Sequence, residues 1–315
     1  MYEKLEALDN FTINFSEDGI LIVNIVLAFI MFGIALDVKF SDFKQVFLSP
    51  KPLIVGLFSQ WIALPAVTFL IVAAGYKFIP PSVAMGMILV AACPGGNMSN
   101  YISSLAKANI ALSVSLTGFS TAAAVIMTPL NFRIWGGMYI NFLSKRTVDL
   151  LQPLQIDFPQ ILITLCILLA LPLILGMLFS RFFPKIKDKI LRPIKFLSLI
   201  AFSAILIMAM WNNLDNFLHN FGYIFIIVLI HNGLAITTGF SLASLFKHSI
   251  PDRRTISIET GIQNSGLGLA LLFNPKIFPP GVVTGGMLFV TAWWGVWHIA
   301  SGLIIAFIFR RLKKF

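Results

Sequence analysis

The chain has 315 residues, 58% of them apolar and 11% charged, with a mean hydropathy of +0.89 and a formal net charge of +10. Soluble domains run nearer half apolar and a quarter charged, so a water-soluble globule is excluded: it would have to leave much of its apolar surface in water. The basic excess does not imply nucleic acid either, because Lys and Arg fall in short clusters between apolar runs and form no basic face with interleaved aromatics.

The chain opens on MYEKLEALDN, acidic and polar, without the basic start of a cleavable signal peptide. A membrane-crossing helix needs about 20 mostly apolar residues. Runs of that kind follow at 20–36, 52–74, 83–105, 110–134, 161–179, 194–211, 223–245, 256–273 and 282–309. The fold class predicted is therefore an all-α polytopic membrane protein with nine transmembrane helices. The eighth run is diluted by Glu259, Gln263 and Asn264, but loop charge supports it. With nine spans and the amino terminus outside, seventeen of the 23 Lys and Arg lie on the cytoplasmic side and six outside. Deleting the eighth span would move the terminal RRLKKF to the outside, against that rule. Residues 1–19 are thus expected to be extracellular and 310–315 a cytoplasmic tail, in a cell (inner or plasma) membrane. Cys93 and Cys166 both lie inside apolar runs, which argues against a disulfide scaffold.

The third and eighth runs are interrupted, by Pro94-Gly95-Gly96-Asn97-Met98-Ser99-Asn100 and by Glu259-Thr260-Gly261-Ile262-Gln263-Asn264-Ser265-Gly266. Backbone groups freed in a membrane must be satisfied by protein, ions or water. The two runs stand five apart, so they point in opposite directions; the second pairs with the seventh and the fourth with the ninth under the same offset. That pattern predicts an inverted-topology repeat with two crossing broken helices, and such paired breaks mark transporter binding sites.

Glu259 is the one acidic residue placed inside a span, and an intramembrane carboxylate usually marks an ion or proton path. Ser113 and Thr117, at i and i+4, share one face of the fourth helix, and with Ser99 and Asn100 they offer the hydroxyl and amide oxygens that a hard cation prefers. The bland alternative for these hydroxyls is close helix packing; for Gln60, His231, Asn232 and His298 it is interhelical hydrogen bonding. No His or Cys grouping has metal-ligand spacing, and no GxSxG or Ser–His–Asp order supports a hydrolase, so an enzyme is not expected.

Three segments, Cys93-Pro94-Gly95-Gly96-Asn97-Met98-Ser99-Asn100, Asn109-Ile110-Ala111-Leu112-Ser113 and Ser257-Ile258-Glu259-Thr260-Gly261-Ile262-Gln263-Asn264-Ser265-Gly266, resemble the bile acid:sodium symporter family. The likeness runs over essentially the whole chain from Ile20. It implies a core domain (52–137 and 220–309) and a panel domain (20–36 and 158–213). It also implies two sodium ions, one at positions matching Ser99, Asn100, Ser113, Thr117 and Glu259. The other would lie at positions matching Gln60, Glu259, Gln263 and the backbone carbonyls of Thr260 and Ile262. An organic anion would sit beside the crossing near Asn97 and Asn264, with His298 close by; Ile299 stands where some relatives place Asn. The nine-helix count and Asn97 are similar to the animal carriers. The expected activity is sodium-coupled import of a bile acid or small carboxylate, with membrane lipid as the surroundings. The alternatives are a proton-coupled or sodium-independent carrier with Glu259 as its titrating group, and a channel-like protein, which a single asymmetric cage disfavours.

Overall fold

The computed structural model of the protein describes residues 50–96, 98–146, 170–172, 174–211, 214–274, 277–278 and 282–311, with isolated positions at 25, 29, 32, 33 and 36. The expected first helix (apart from those positions), residues 161–169 of the fifth, and Asn97 lie outside the described residues.

Helix α1, Pro50–Ala74, contains a π-helical turn over Ser59–Ala63. Leu64 N–H reaches back to Ser59 O, and the next residue but one to the turn, Pro65, has no N–H to restore the ordinary ladder. The widened turn leaves both Ser59 and Gln60 buried. Helix α2, Pro81–Ala92, begins with a proline at its first position and is buried along its whole length. It stops at Cys93, which is extended (φ −73°, ψ 157°) because Pro94 disfavours the helical region for the residue before it. Helix α3, Met98–Leu105, resumes after the break.

Helix α4, Ile110–Ser144, runs ten residues beyond the end expected at 134. Arg133, next to the end expected at 134, lies well inside it, in a π-helical turn over Phe132–Gly136 shortly after Pro129. The helix continues because aromatic and apolar residues after the turn keep a buried stripe through Tyr139 and Leu143. Residues 170–182 are helical where described, followed by α5, Pro184–Trp211, and α6, Leu214–Leu245. The second interrupted run forms α7, Ile250–Gly261, and α8, Ser265–Leu272; α9, Gly285–Arg311, closes the described chain. Among the described residues, four stretches are long and apolar enough to cross a membrane: Pro50–Ala74, Ile110–Ser144, Phe221–Leu245 and Gly285–Arg311.

Small residues let the helices approach closely, as packing between membrane helices requires. A Cβ on Gly86 of α2 would stand 2.7 Å from Met287 Cα of α9, and one on Gly286 would stand 2.7 Å from Val83 N. The main apolar core gathers α2, α8 and α9 with inward residues of α1, α4 and α6. The α3–α4 and α6–α7 junctions repeat one device. Lys107 and Lys247 each take a left-handed conformation (φ 54° and 55°), and Asn109 and Ser249 then cap the following helix. The two junctions are joined: Asn109 Nδ2 donates to Asp252 Oδ1 at 2.8 Å, and Thr255 Oγ1 accepts from Asn109 N at 2.9 Å.

Candidate functional site

The two breaks meet face to face. Gly96 N donates to Ile262 O and Asn264 N donates to Pro94 O, both at 2.8 Å, a reciprocal pair around the Gly95–Gln263 bridge. Backbone groups released by each break are thus satisfied by the other, which keeps broken helices tolerable within apolar surroundings. Gly95 N finds Ser120 Oγ on α4 at 3.3 Å, and Asn264 Oδ1 caps α8 by accepting from Leu267 N at 3.0 Å.

Glu259, in the last turn of α7, is fully buried against this crossing. Its Oε1 accepts from Ser99 Oγ and Ser113 Oγ, each at 2.5 Å, and from Thr117 Oγ1 at 3.0 Å. Its Oε2 accepts from Thr117 Oγ1 at 3.1 Å and from Gln60 Nε2 at 3.4 Å. Asn100 Oδ1 lies 3.4 Å from Thr117 Oγ1. The structure therefore brings Ser99, Asn100, Ser113 and Thr117 together around one carboxylate, although they come from α3 and α4 while Glu259 comes from α7. No cationic side chain among the described residues pairs with Glu259, so its charge is met by neutral donors alone.

On the other side of Glu259 the amides are arranged differently. Gln60 Nε2 donates to Glu259 O at 3.0 Å and Gln263 Nε2 to Thr260 O at 2.9 Å. Both amides are thereby oriented, and Gln60 Oε1 and Gln263 Oε1 are left buried without a hydrogen-bond partner among the described residues. A buried acceptor without a donor is costly, by about 1–3 kcal/mol. Ile262 O already accepts from Gly96 N, and both it and Thr260 O keep a second lone pair. Two orphan amide oxygens, two backbone carbonyls and a carboxylate are the donor chemistry of a hard, oxygen-seeking cation. Among the described residues no group of three His, Cys, Asp or Glu could hold a metal ion, so a soft or transition-metal donor set is not what gathers here.

The candidate anion residues are less closely grouped. Asn97 lies outside the described residues. Asn264 is half-buried, with its oxygen used in the α8 cap. His298 is almost fully buried on the α9 face that also carries Gly295, beside Ser265, and Gly302, beside Ile262. That face runs along α8 and the break.

Sequence reasoning passed over Ser59, Ser120 and Ser301. Ser59 Oγ pairs with Thr260 Oγ1 at 2.8 Å; its signal was adjacency to Gln60, unreadable without the π turn that buries both. Ser120 stands three residues after Thr117, on the same helical face, and could have been found by that spacing.

A helical chain of apolar spans, whose two broken helices meet at a buried carboxylate, has the architecture of an integral membrane transporter. The sodium bile acid symporter family matches residues 24–220. The chain is 32% identical over 299 residues to the uncharacterised sodium-dependent transporter YocS of Bacillus subtilis (strain 168), covering 93% of this chain and 84% of that protein. It is 31% identical over 296 residues to the probable sodium/metabolite cotransporter BASS1, chloroplastic, of Arabidopsis thaliana, covering 90% of this chain and 66% of the plant protein. The P3 protein of Mus musculus is 30% identical over 272 residues, 82% of this chain and 52% of that one. The chain therefore spans about two thirds of the plant relative and about half of the mouse one. The chain belongs to the sodium bile acid symporter family, whose members are transporters rather than enzymes.

Proposed function

We propose that this chain is a sodium-coupled symporter importing a small organic anion, a bile acid or a smaller carboxylate, across a cell membrane by alternating access. One sodium ion is held by Ser99, Asn100, Ser113, Thr117 and Glu259. The second is held by Gln60, Glu259, Gln263 and the carbonyls of Thr260 and Ile262. The anion binds beside the crossing near Asn97, Asn264 and His298, where the amino end of α8 supplies positive dipole. The observation that carries the reading is the pair of buried, partnerless amide oxygens of Gln60 and Gln263, whose Nε2 atoms are bonded to the carbonyls of Glu259 and Thr260. A proton carried by Glu259 would leave both oxygens without a partner, whereas a bound cation would engage them.

The arrangement has nine transmembrane helices, with the amino terminus outside and the carboxyl terminus cytoplasmic. Its two halves are inverted repeats that pair α1 with α6, α2 and α3 with α7 and α8, and α4 with α9. The reciprocal hydrogen bonds at the crossing and the matched left-handed lysines at the α3–α4 and α6–α7 junctions support that pairing. A core of these elements moves against a panel formed by residues 20–36 and 158–213. Sodium drives the cycle only if it binds one conformation better than the other, since equal affinity shifts nothing.

Counterflow of labelled carboxylates into proteoliposomes, run in sodium and in choline, tests coupling and carrier behaviour together. Exchange that is indifferent to sodium would overturn the reading. Cysteine labelling at positions Asn10 and Lys314 tests orientation; labelling of both from one side means an even number of spans.

A further inference from the structure

The end of α7 is held by residues that belong to neither ion site. Helix α6 follows α7 closely: a Cβ on Gly239 would stand 2.6 Å from Ile256 O, and Ser257 Oγ donates to Ile236 O at 2.8 Å. One turn before Ile236, Asn232 reaches the last residue of α7, donating from Nδ2 to Gly261 O at 2.7 Å. That carbonyl would accept from Ser265 N in an unbroken helix, but Ser265 N turns to Gln263 O instead. Asn232 is fully buried, and its Oδ1 accepts from Ser301 Oγ of α9 at 2.5 Å. The acceptor-only Gly261 carbonyl sets the amide's direction, because a turned-over amide would set its own oxygen against the Gly261 oxygen; Ser301 Oγ, which also reaches His298 O, ties the amide in that orientation to α9.

We infer that Asn232, locked by Ser301, is a positioning residue for the second sodium site: it fixes the plane of the Gly261–Ile262 peptide. Gly261 has no side chain to restrict that peptide, and it lies between the two carbonyls, of Thr260 and Ile262, assigned to the ion. With Asn232 in place the Gly261 oxygen is held toward α6. Without it the Gly261–Ile262 peptide can rotate, and its neighbours rotate with it. Partners one layer outside a metal's ligands typically change its affinity tenfold or more when removed. The inference rests on the proposed sodium reading.

The test is sodium titration of thermal stability on the purified full chain, with choline as the balancing cation. Asn232→Ala should raise the sodium concentration for half-maximal stabilisation about tenfold. Ser301→Ala should raise it a few-fold, and Ser301→Thr, which keeps the hydroxyl, should restore the parent midpoint. A merely structural Asn232 predicts instead a lower melting temperature in choline with the sodium midpoint unchanged, and that result overturns the inference. Should Asn232→Ala fail to fold, the contrast between Ser301→Ala and Ser301→Thr decides, and equal midpoints in the two overturn it. Gln60→Ala, a proposed ligand, separates the two failures. A shifted midpoint there with unchanged midpoints at Asn232 and Ser301 sinks this inference alone, while a parent without any sodium response sinks both.

Discussion

At the α2–α3 break the groups that face the crossing are Gly95 and Gly96, with no side chains; at the α7–α8 break they are Glu259 and Gln263. The two backbones hydrogen-bond each other reciprocally, yet at the crossing itself one contributes polar side chains and the other contributes room, its own polar groups, Ser99 and Asn100, coming only further on in α3. A Cβ on Gly95 would lie 2.8 Å from Glu259 Oε2 and 2.9 Å from Gln60 Nε2, inside the space the carboxylate and amide occupy. Near-equivalent elements can therefore specialise once their backbones are paired, because only one of them needs to carry the charge. Placing acids on both breaks would bury like charges beside each other in a low dielectric, where repulsion is large.

The most severe way to break this division is Glu259→Gln, which keeps shape but removes the single charge. Loss of all sodium-induced stabilisation is expected, since stabilisation comes from binding to the native state, with the protein still folded and inserted. Thermal melts in sodium and choline check it, and retention of the parent's sodium response would sink the shared-carboxylate cage. Next comes Gly95→Ala, which puts a methyl group where the ligands are. It should lower stability by about 1–3 kcal/mol and abolish or strongly weaken the sodium response. Gly96→Ala should do less, its nearest neighbour being Gln263 O at 3.2 Å.

Gln60→Ala and Gln263→Ala remove one oxygen donor each from the proposed second site, so the expected loss is graded: a rise in sodium midpoint of about tenfold or more, at least that of Asn232→Ala, without loss of folding. Sodium-dependence curves of uptake measure it; unchanged midpoints and steepness in both variants would remove the second site. The smallest effect belongs to Ser120→Ala. It deprives Gly95 N of its acceptor and should cost about 1 kcal/mol in thermal or denaturant unfolding while moving the sodium midpoint less than about twofold.

How far this geometry could be read from residues alone differs from group to group. Apolar runs and the Pro-Gly and Gly-rich interruptions located the breaks, because proline and glycine act locally on the backbone. Cys93 stops α2 for the reason its neighbour Pro94 gives. Glu259, Ser113 and Thr117 were legible because a charge in a span is conspicuous and i, i+4 spacing fixes a face. The extension of α4 to Ser144 was not legible: Arg133 reads as a boundary in sequence, yet its helix continues through a π turn. Asn232 reads as a residue for interhelical hydrogen bonding, which its bonds to α7 and α9 bear out, whereas Ser59 and Ser301 escaped for another reason. Their partners, Thr260 and Asn232, lie 201 and 69 positions away, and only tertiary contact turns an ordinary Ser into a support for the crossing.

The carboxylate of Glu259 draws its donors from far along the chain: Gln60, Ser99, Ser113 and Thr117 stand 199, 160, 146 and 142 positions before it. During synthesis those four side chains enter the bilayer long before the group that will organise them has been made. They must wait with one another or with water until α7 arrives, and non-local contacts of this kind form late. If sodium binds there as proposed, protection by the ion against proteolysis is expected only of the finished chain. A nascent chain arrested before residue 259 should be digested equally with and without the ion, so sodium protection reports when assembly of the two halves is complete.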